Sequence, residues 1–191
     1  MSREYKWNFS NRKQPSAEDL LWLYRSFVLD CPVPGVSCRA KTFADRGLTG
    51  RSLFELQRSM KNKSSLSTSS WRSIPYPSDR KKTTKRESGS AEAESLESVL
   101  NACGISEKYR LGSEFAYYYN AKDSKTAGLF YLIRNALAHG SFAYHETNTG
   151  GWIALETRRN GKLRGRSLLK MKTLRNWREM LLHPNQFVKE R

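Results

Sequence analysis

The stretch DSKTAGLFYLIRNALAHG, residues 123 to 140, constrains this chain more than any other, because a helix carrying it must bury most of one side. Leu129, Phe130, Ile133 and Leu137 recur at the spacing of one helical face, Asp123 stands at the capping position, and Gly140 supplies the stop. Such a helix needs other elements packed around it.

Several segments can supply them. SAEDLLWLYRSFVLD, Ser16 to Asp30, opens with a Ser cap and puts Leu20, Leu23, Tyr24, Phe27 and Val28 on one face before CPVPG ends the helix. A weaker helix spans about Thr49 to Met60 with Leu53, Leu56 and Met60 inward. In AESLESVLNACG, Leu96, Val99, Leu100 and Cys103 keep helical spacing up to the Gly104 stop, and SEFAYYYN reads as a further helix carrying Phe115, Tyr118 and Tyr119. Beyond Gly140 the period changes to two. SFAYHE, GWIALETR and KLRGRSLL alternate and are split by TNTGG and by NG, a strong hairpin signal. The chain ends in an amphipathic helix, MKTLRNWREMLLHP, built on Leu174, Trp177, Met180 and Leu181.

These signals describe one domain over residues 1–191. The expected fold is mainly α, with a small antiparallel β appendage at 142–168, a hairpin or three strands, and a C-terminal helix at 170–183. Residues 59–95, rich in Ser, Lys and Arg, read as a long, exposed, mobile insertion whose DRKKTTKR cluster suits a nucleic-acid backbone or a solvated surface equally.

Lys and Arg number 34 against 18 Asp and Glu, a net charge of +16, while aromatic residues make up 12% of the 191. A chain that aromatic can bury a core, so its charge belongs to the surface and favours polyanionic partners, nucleic acid foremost. The polar start MSREYKWNFS and the lack of a long apolar run read as a soluble, cytoplasmic protein without membrane association. Cys31, Cys38 and Cys103 form no CxxC pair, so neither a disulfide framework nor a zinc site is expected, and no cofactor is.

Chemistry concentrates in IRNALAHGSF, residues 133 to 142. An Arg five positions before a His proves little, since Arg178 and His183 repeat the spacing in REMLLHP. There Glu179 follows the Arg, and His183 reads as a cationic end cap favoured by the helix dipole. Asn135 distinguishes the first copy, because it lies at i, i+4 from His139 and so shares its face. A His at a helix end suits proton transfer near neutral pH, and a fixed guanidinium suits the charge of a phosphoryl transition state. No carboxylate cluster accompanies them, which argues against a two-metal nuclease and for RNA cleavage through the internal 2′-hydroxyl. Arg134 lies about 140° around the helix from His139, so a facing second copy of the helix would bring two such pairs together more readily than one helix can.

The motif, Arg134 followed directly by Asn135 and then by His139, resembles the signature of the higher-eukaryote and prokaryote nucleotide-binding (HEPN) domain family. The likeness covers the motif helix and, loosely, the helical parts from Ser16 to Gly140; the 59–95 insertion and the strand-rich tail lie outside it. It implies a helical bundle that homodimerises through the motif helix. It further implies a metal-independent endoribonuclease of toxin–antitoxin, abortive-infection or antiviral systems, with an antitoxin or nucleotidyltransferase as partner, catalytic Arg134 and His139, and Asn135 in support. Some relatives are inactive binders, so a non-catalytic nucleic-acid-binding or regulatory module is the alternative.

The basic tail completes the expected site. Among its cations, Arg158, Arg159, Lys162, Arg164 and Arg166 flank the proposed hairpin and are expected to track RNA phosphates, with Trp152 and Trp177 either stacking on bases or filling a core. Tyr144 and His145, just past the motif, are candidate supporting contacts; alternation points them opposite ways, so at most one faces the cleft.

Overall fold

Strands, not helices, form the centre of the molecule. The computed structural model describes residues 4–7, 9, 14–37, 40–75, 95–120, 122 and 124–188. Its main sheet holds β2 (Trp71–Pro75), β4 (Phe115–Asn120), β5 (Phe142–Thr147), β6 (Gly150–Arg159) and β7 (Lys162–Lys170) in the order β2-β4-β7-β6-β5. β2 runs parallel to β4 and every other pairing is antiparallel. A separate antiparallel pair joins β1 (Glu4–Lys6) to β3 (Lys108–Arg110).

One face of this sheet carries α1 (Ala17–Leu23), α2 (Gly50–Asn62), α4 (Lys125–Ala138) and α5 (Met171–Leu182). The other carries α3 (Leu96–Ala102) and the β1–β3 pair. The expected mainly helical bundle is therefore overturned: the fold is α/β, with a mixed sheet covered on both sides. The tail is no appendage, since Trp152 to Glu156 of β6 are all buried. A strand buried on both faces loses its apolar-polar alternation, and that is the state of β6.

SEFAYYYN also changes class. Phe115 and Tyr117 pack toward α3, whereas Ala116 and Tyr118 pack toward α4, which is the period of a strand. Over so short a window Phe115, Tyr118 and Tyr119 satisfy helical spacing equally well, and pairing with β2 and β7 decides for β.

The 59–95 segment splits in two. Its first part belongs to the body of the fold: α2 runs to Asn62, and Trp71 of edge strand β2 is buried and donates from Nε1 to the Tyr118 hydroxyl at 2.9 Å. The DRKKTTKR cluster lies outside the described residues, as do Cys38 and Asp123. Ser124 caps α4 instead, its Oγ accepting from the Ala127 N–H at 3.0 Å.

The remaining helices follow their sequence signals. Ser16 caps α1 through the Asp19 N–H, and the helix continues as a π-helical segment, Tyr24–Leu29, packed on α4. Leu129, Phe130, Ile133 and Leu137 are fully buried, and each such side chain contributes about 1.5–3 kcal/mol through water exclusion. α4 can approach the sheet because β7 has Gly165 beneath it, where a Cβ would collide with Leu132 and Tyr118. Trp177 is fully buried and Trp152 nearly so, which makes both core residues and not stacking surfaces. No described helix is long and apolar enough to cross a membrane.

Candidate functional site

The end of α4 places the motif. Gly140 takes φ +62°, and the chain closes in a Schellman arrangement: the Gly140 N–H donates to Leu137 O at 3.0 Å and the Ser141 N–H to Ala136 O at 2.7 Å. This leaves His139 exposed as the C-cap residue and turns the chain into β5. The Tyr24 hydroxyl, donating to Leu137 O at 2.8 Å, ties the same turn to the π-helical segment. The Glu156 N–H, donating to Ser141 O at 3.0 Å, ties it to β6.

Between α4 and the far ends of β6 and β7 lies a cleft of about 410 Å³. Arg134, Asn135 and His139 line it from the helix, and Arg158, Arg159 and Arg164 from the strands. Thus three motif residues and three of the five tail cations meet in one place. Within this one chain the wall opposite α4 is formed by β6 and β7.

The Asn135 side chain bonds to Arg134 and not to His139. Its Oδ1 accepts from Arg134 Nη1 at 3.0 Å, and its link to His139 is through the backbone, where the His139 N–H donates to Asn135 O at 3.1 Å. The amide thereby orients the guanidinium. Arg134 Nε is buried and has no hydrogen-bond partner among the described residues.

The tail cations divide by role. β6 and β7 are joined by a two-residue turn, Asn160 and Gly161, both with positive φ. Their register passes from Thr157 opposite Gly165 to Arg158 opposite Leu163, so Arg164 is the extra residue of a β-bulge and is re-aimed toward the cleft. Arg158 is half-committed, with Nε on Glu156 Oε1 at 2.6 Å and Nη1 on Gly161 O at 3.1 Å. Arg159 and Lys162 are exposed, and Lys162 borders a neighbouring hollow.

Arg166 does not line the motif cleft and is committed to the fold. It is buried, pairs with Glu156 Oε2 at 2.7 Å, donates to the Ser106 carbonyl and stacks 4.6 Å above the Trp7 ring. Burial lowers its pKa, which the Glu156 carboxylate opposes. A guanidinium so enclosed ties β7 to β6 and to the Ser106 and Trp7 segments on the α3 side of the sheet, and it also borders the neighbouring hollow.

Tyr144 and His145 do point opposite ways, but neither lines the cleft. Tyr144 is buried under the helices, and His145 Nε2 lies 2.7 Å from the Tyr109 hydroxyl on the far face. The second Arg–His copy is elsewhere too: Arg178 pairs with Asp30 at 2.6 Å, while His183 sits 4.0 Å from Glu179 at the end of α5.

The sequence reading missed the tyrosines of the cleft. Tyr118 and Tyr119 come from β4 and Tyr131 from α4. Tyr118 and Tyr119 belong to the run AYYY, which reaches the cleft only as a strand, and Tyr131 lies one turn before Asn135 on α4. Among the described residues no group of three or more His, Cys, Asp or Glu could hold a metal ion. No known family model, curated protein or solved structure matches the chain, so its functional reading rests on this cleft.

Proposed function

We propose that the chain binds RNA in this cleft and cleaves it without a metal ion. The observation that supports this is the meeting of Arg134, Asn135 and His139 with Arg158, Arg159 and Arg164 around one hollow. Several guanidinium groups facing one imidazole make a place for a phosphodiester beside a proton-transfer group. In the reaction, the 2′-oxygen bonds to phosphorus, the bond to the 5′-oxygen breaks, and a 2′,3′-cyclic phosphate forms. His139 takes the 2′-hydroxyl proton, and the 5′-oxygen is protonated by water at the open mouth. Arg134, oriented by Asn135, stabilises the added negative charge on the phosphoryl oxygens. Since one chain supplies both walls, this reading needs no homodimer. A toxin or antiviral setting, with an antitoxin or nucleotidyltransferase partner, is suggested by the likeness of the motif alone.

The test is incubation with RNA in EDTA. Cyclic-phosphate ends are expected, with loss of product in His139→Ala and no cleavage of DNA. Activity that needs added metal, or that persists in His139→Ala, refutes the mechanism.

A second reading, a binding module without chemistry, is favoured by the exposure of His139, because a ring in open solvent lacks the fixed orientation that general bases use. It expects salt-sensitive RNA binding and no product.

A further inference from the structure

A second hollow, of about 490 Å³, adjoins the motif cleft. Glu97 and Asn101 of α3, Ser106, and Lys162 at the hairpin turn are on its walls. It shares Tyr119, Arg158 and Arg164 with the cleft. The boundary between the two is therefore one aromatic residue flanked by two arginines.

Tyr119 is held in place at that boundary. Its hydroxyl accepts from the Leu96 N–H at 3.1 Å and donates to Glu97 Oε2 at 3.3 Å, while the residue stays half-exposed. Those bonds fix the ring from α3 and occupy the Glu97 carboxylate, an acidic group on that wall. Arg158 is fixed as well, by Glu156 and the Gly161 carbonyl, and Lys162 stands exposed at the outer end of the hairpin. Tyr119 packs partly against the α3-side core and is shared by both hollows, and cations beside a pinned aromatic residue are an arrangement by which proteins hold an unpaired nucleotide chain, with phosphates on cations and a base on the ring.

We infer that the two hollows form one groove for single-stranded RNA: the reacting phosphate lies in the motif cleft, the adjoining base rests on Tyr119, and the next phosphate reaches Arg158 and Lys162. This inference rests on the RNA-binding reading and adds the strandedness and path of the substrate. A base in a duplex is stacked between its neighbours and cannot lie on Tyr119, so paired RNA is excluded from the groove.

The experiment is fluorescence anisotropy on the full chain at low salt with labelled 2′-O-methyl RNAs, which cannot be cleaved by internal attack. Probes of one, two and four nucleotides and a short duplex are compared. Affinity is expected to rise about tenfold or more from the shortest to the longest single strand. Tyr119→Leu and Lys162→Glu should each remove most of that gain, and the duplex should bind more weakly than the single strand. Tyr119→Leu also loses its bonds to α3; Lys162→Glu, on an exposed turn, keeps the test valid if that variant fails to fold. If the gain survives Lys162→Glu and every folded Tyr119 variant while Arg134→Ala abolishes binding, the groove is overturned and RNA binding at the motif stands. If the duplex binds as tightly as the single strand, the groove is likewise overturned. If the native chain binds none of the probes, the RNA-binding reading falls and the groove with it.

Discussion

Arg134 Nη1 donates to the side-chain oxygen of Asn135 at 3.0 Å, so two residues adjacent in sequence act as one unit at the mouth of the cleft. On a helix, neighbouring side chains diverge by about 100°, and the long Arg side chain spans that angle to reach the amide. Asn135→Ala is expected to lower RNA affinity or turnover roughly tenfold or more, since a hydrogen bond to a charged group contributes about 1.5–3 kcal/mol. Asn135→Asp keeps an acceptor on Arg134 but sets a carboxylate against the phosphate, and should be at least as harmful. Parallel binding and turnover measurements check both; a neutral Asn135→Ala removes the amide from the site.

Glu156 is the buried hub between Arg158 and Arg166. Arg166→Ala strips a buried carboxylate of its enclosed partner and should destabilise the fold by about 3–5 kcal/mol in chemical denaturation. Lys162→Ala, at the exposed turn, should change stability by less than about 0.5 kcal/mol. Equal effects of the two would contradict the division of the tail cations into structural and exposed groups.

Gly140 adopts φ +62° directly after His139. Gly140→Ala should cost about 1 kcal/mol, because a Cβ strains the left-handed backbone conformation. It should also depress any RNA cleavage by moving the imidazole. Gly165→Ala should destabilise the fold further, as Leu132 and Tyr118 fill the space a methyl would need. Thermal melting of both variants, with cleavage assayed in the first, is the measurement.

Burial pushes the Cys31 thiol up to about 11, an effect that a hydrogen bond from Val33 and the nearby positive charge of Arg134 only partly offset. The folded thiol thus holds its proton more tightly than the unfolded one. Its contribution to stability is complete below about pH 9 and is lost as pH rises toward 11. Between pH 8 and 11 the native chain should lose about 2–3 kcal/mol more than Cys31→Ala does. Parallel pH dependences in the two proteins would refute this. The same protonation predicts slow alkylation of Cys31 near pH 8, with the exposed Cys103 reacting first.

How legible the molecule was depends on which residues one asks about. The α4 segment was readable because Leu129, Phe130, Ile133 and Leu137 repeat at one helical period and Gly140 ends it, all within local reach. The Asn160–Gly161 turn and the capping of α1 by Ser16 were readable for the same reason. Phe115 to Asn120 was misread because six aromatic-rich residues fit either period until a neighbouring strand pairs with them.

What the sequence determined by itself was local: where helices begin and end, which tail segments form hairpins, and that Arg134, Asn135 and His139 share one helix end. Tertiary structure alone decided that the tail strands make the central sheet, that a bulge sends Arg164 to the cleft, and that Arg166 is buried against Glu156. Caps and periods depend on residues a few positions apart, whereas burial and strand pairing depend on residues far apart in the chain. Asp30 meets Arg178, Trp71 meets Tyr118 and Lys170 meets Glu114 only once the whole chain has folded.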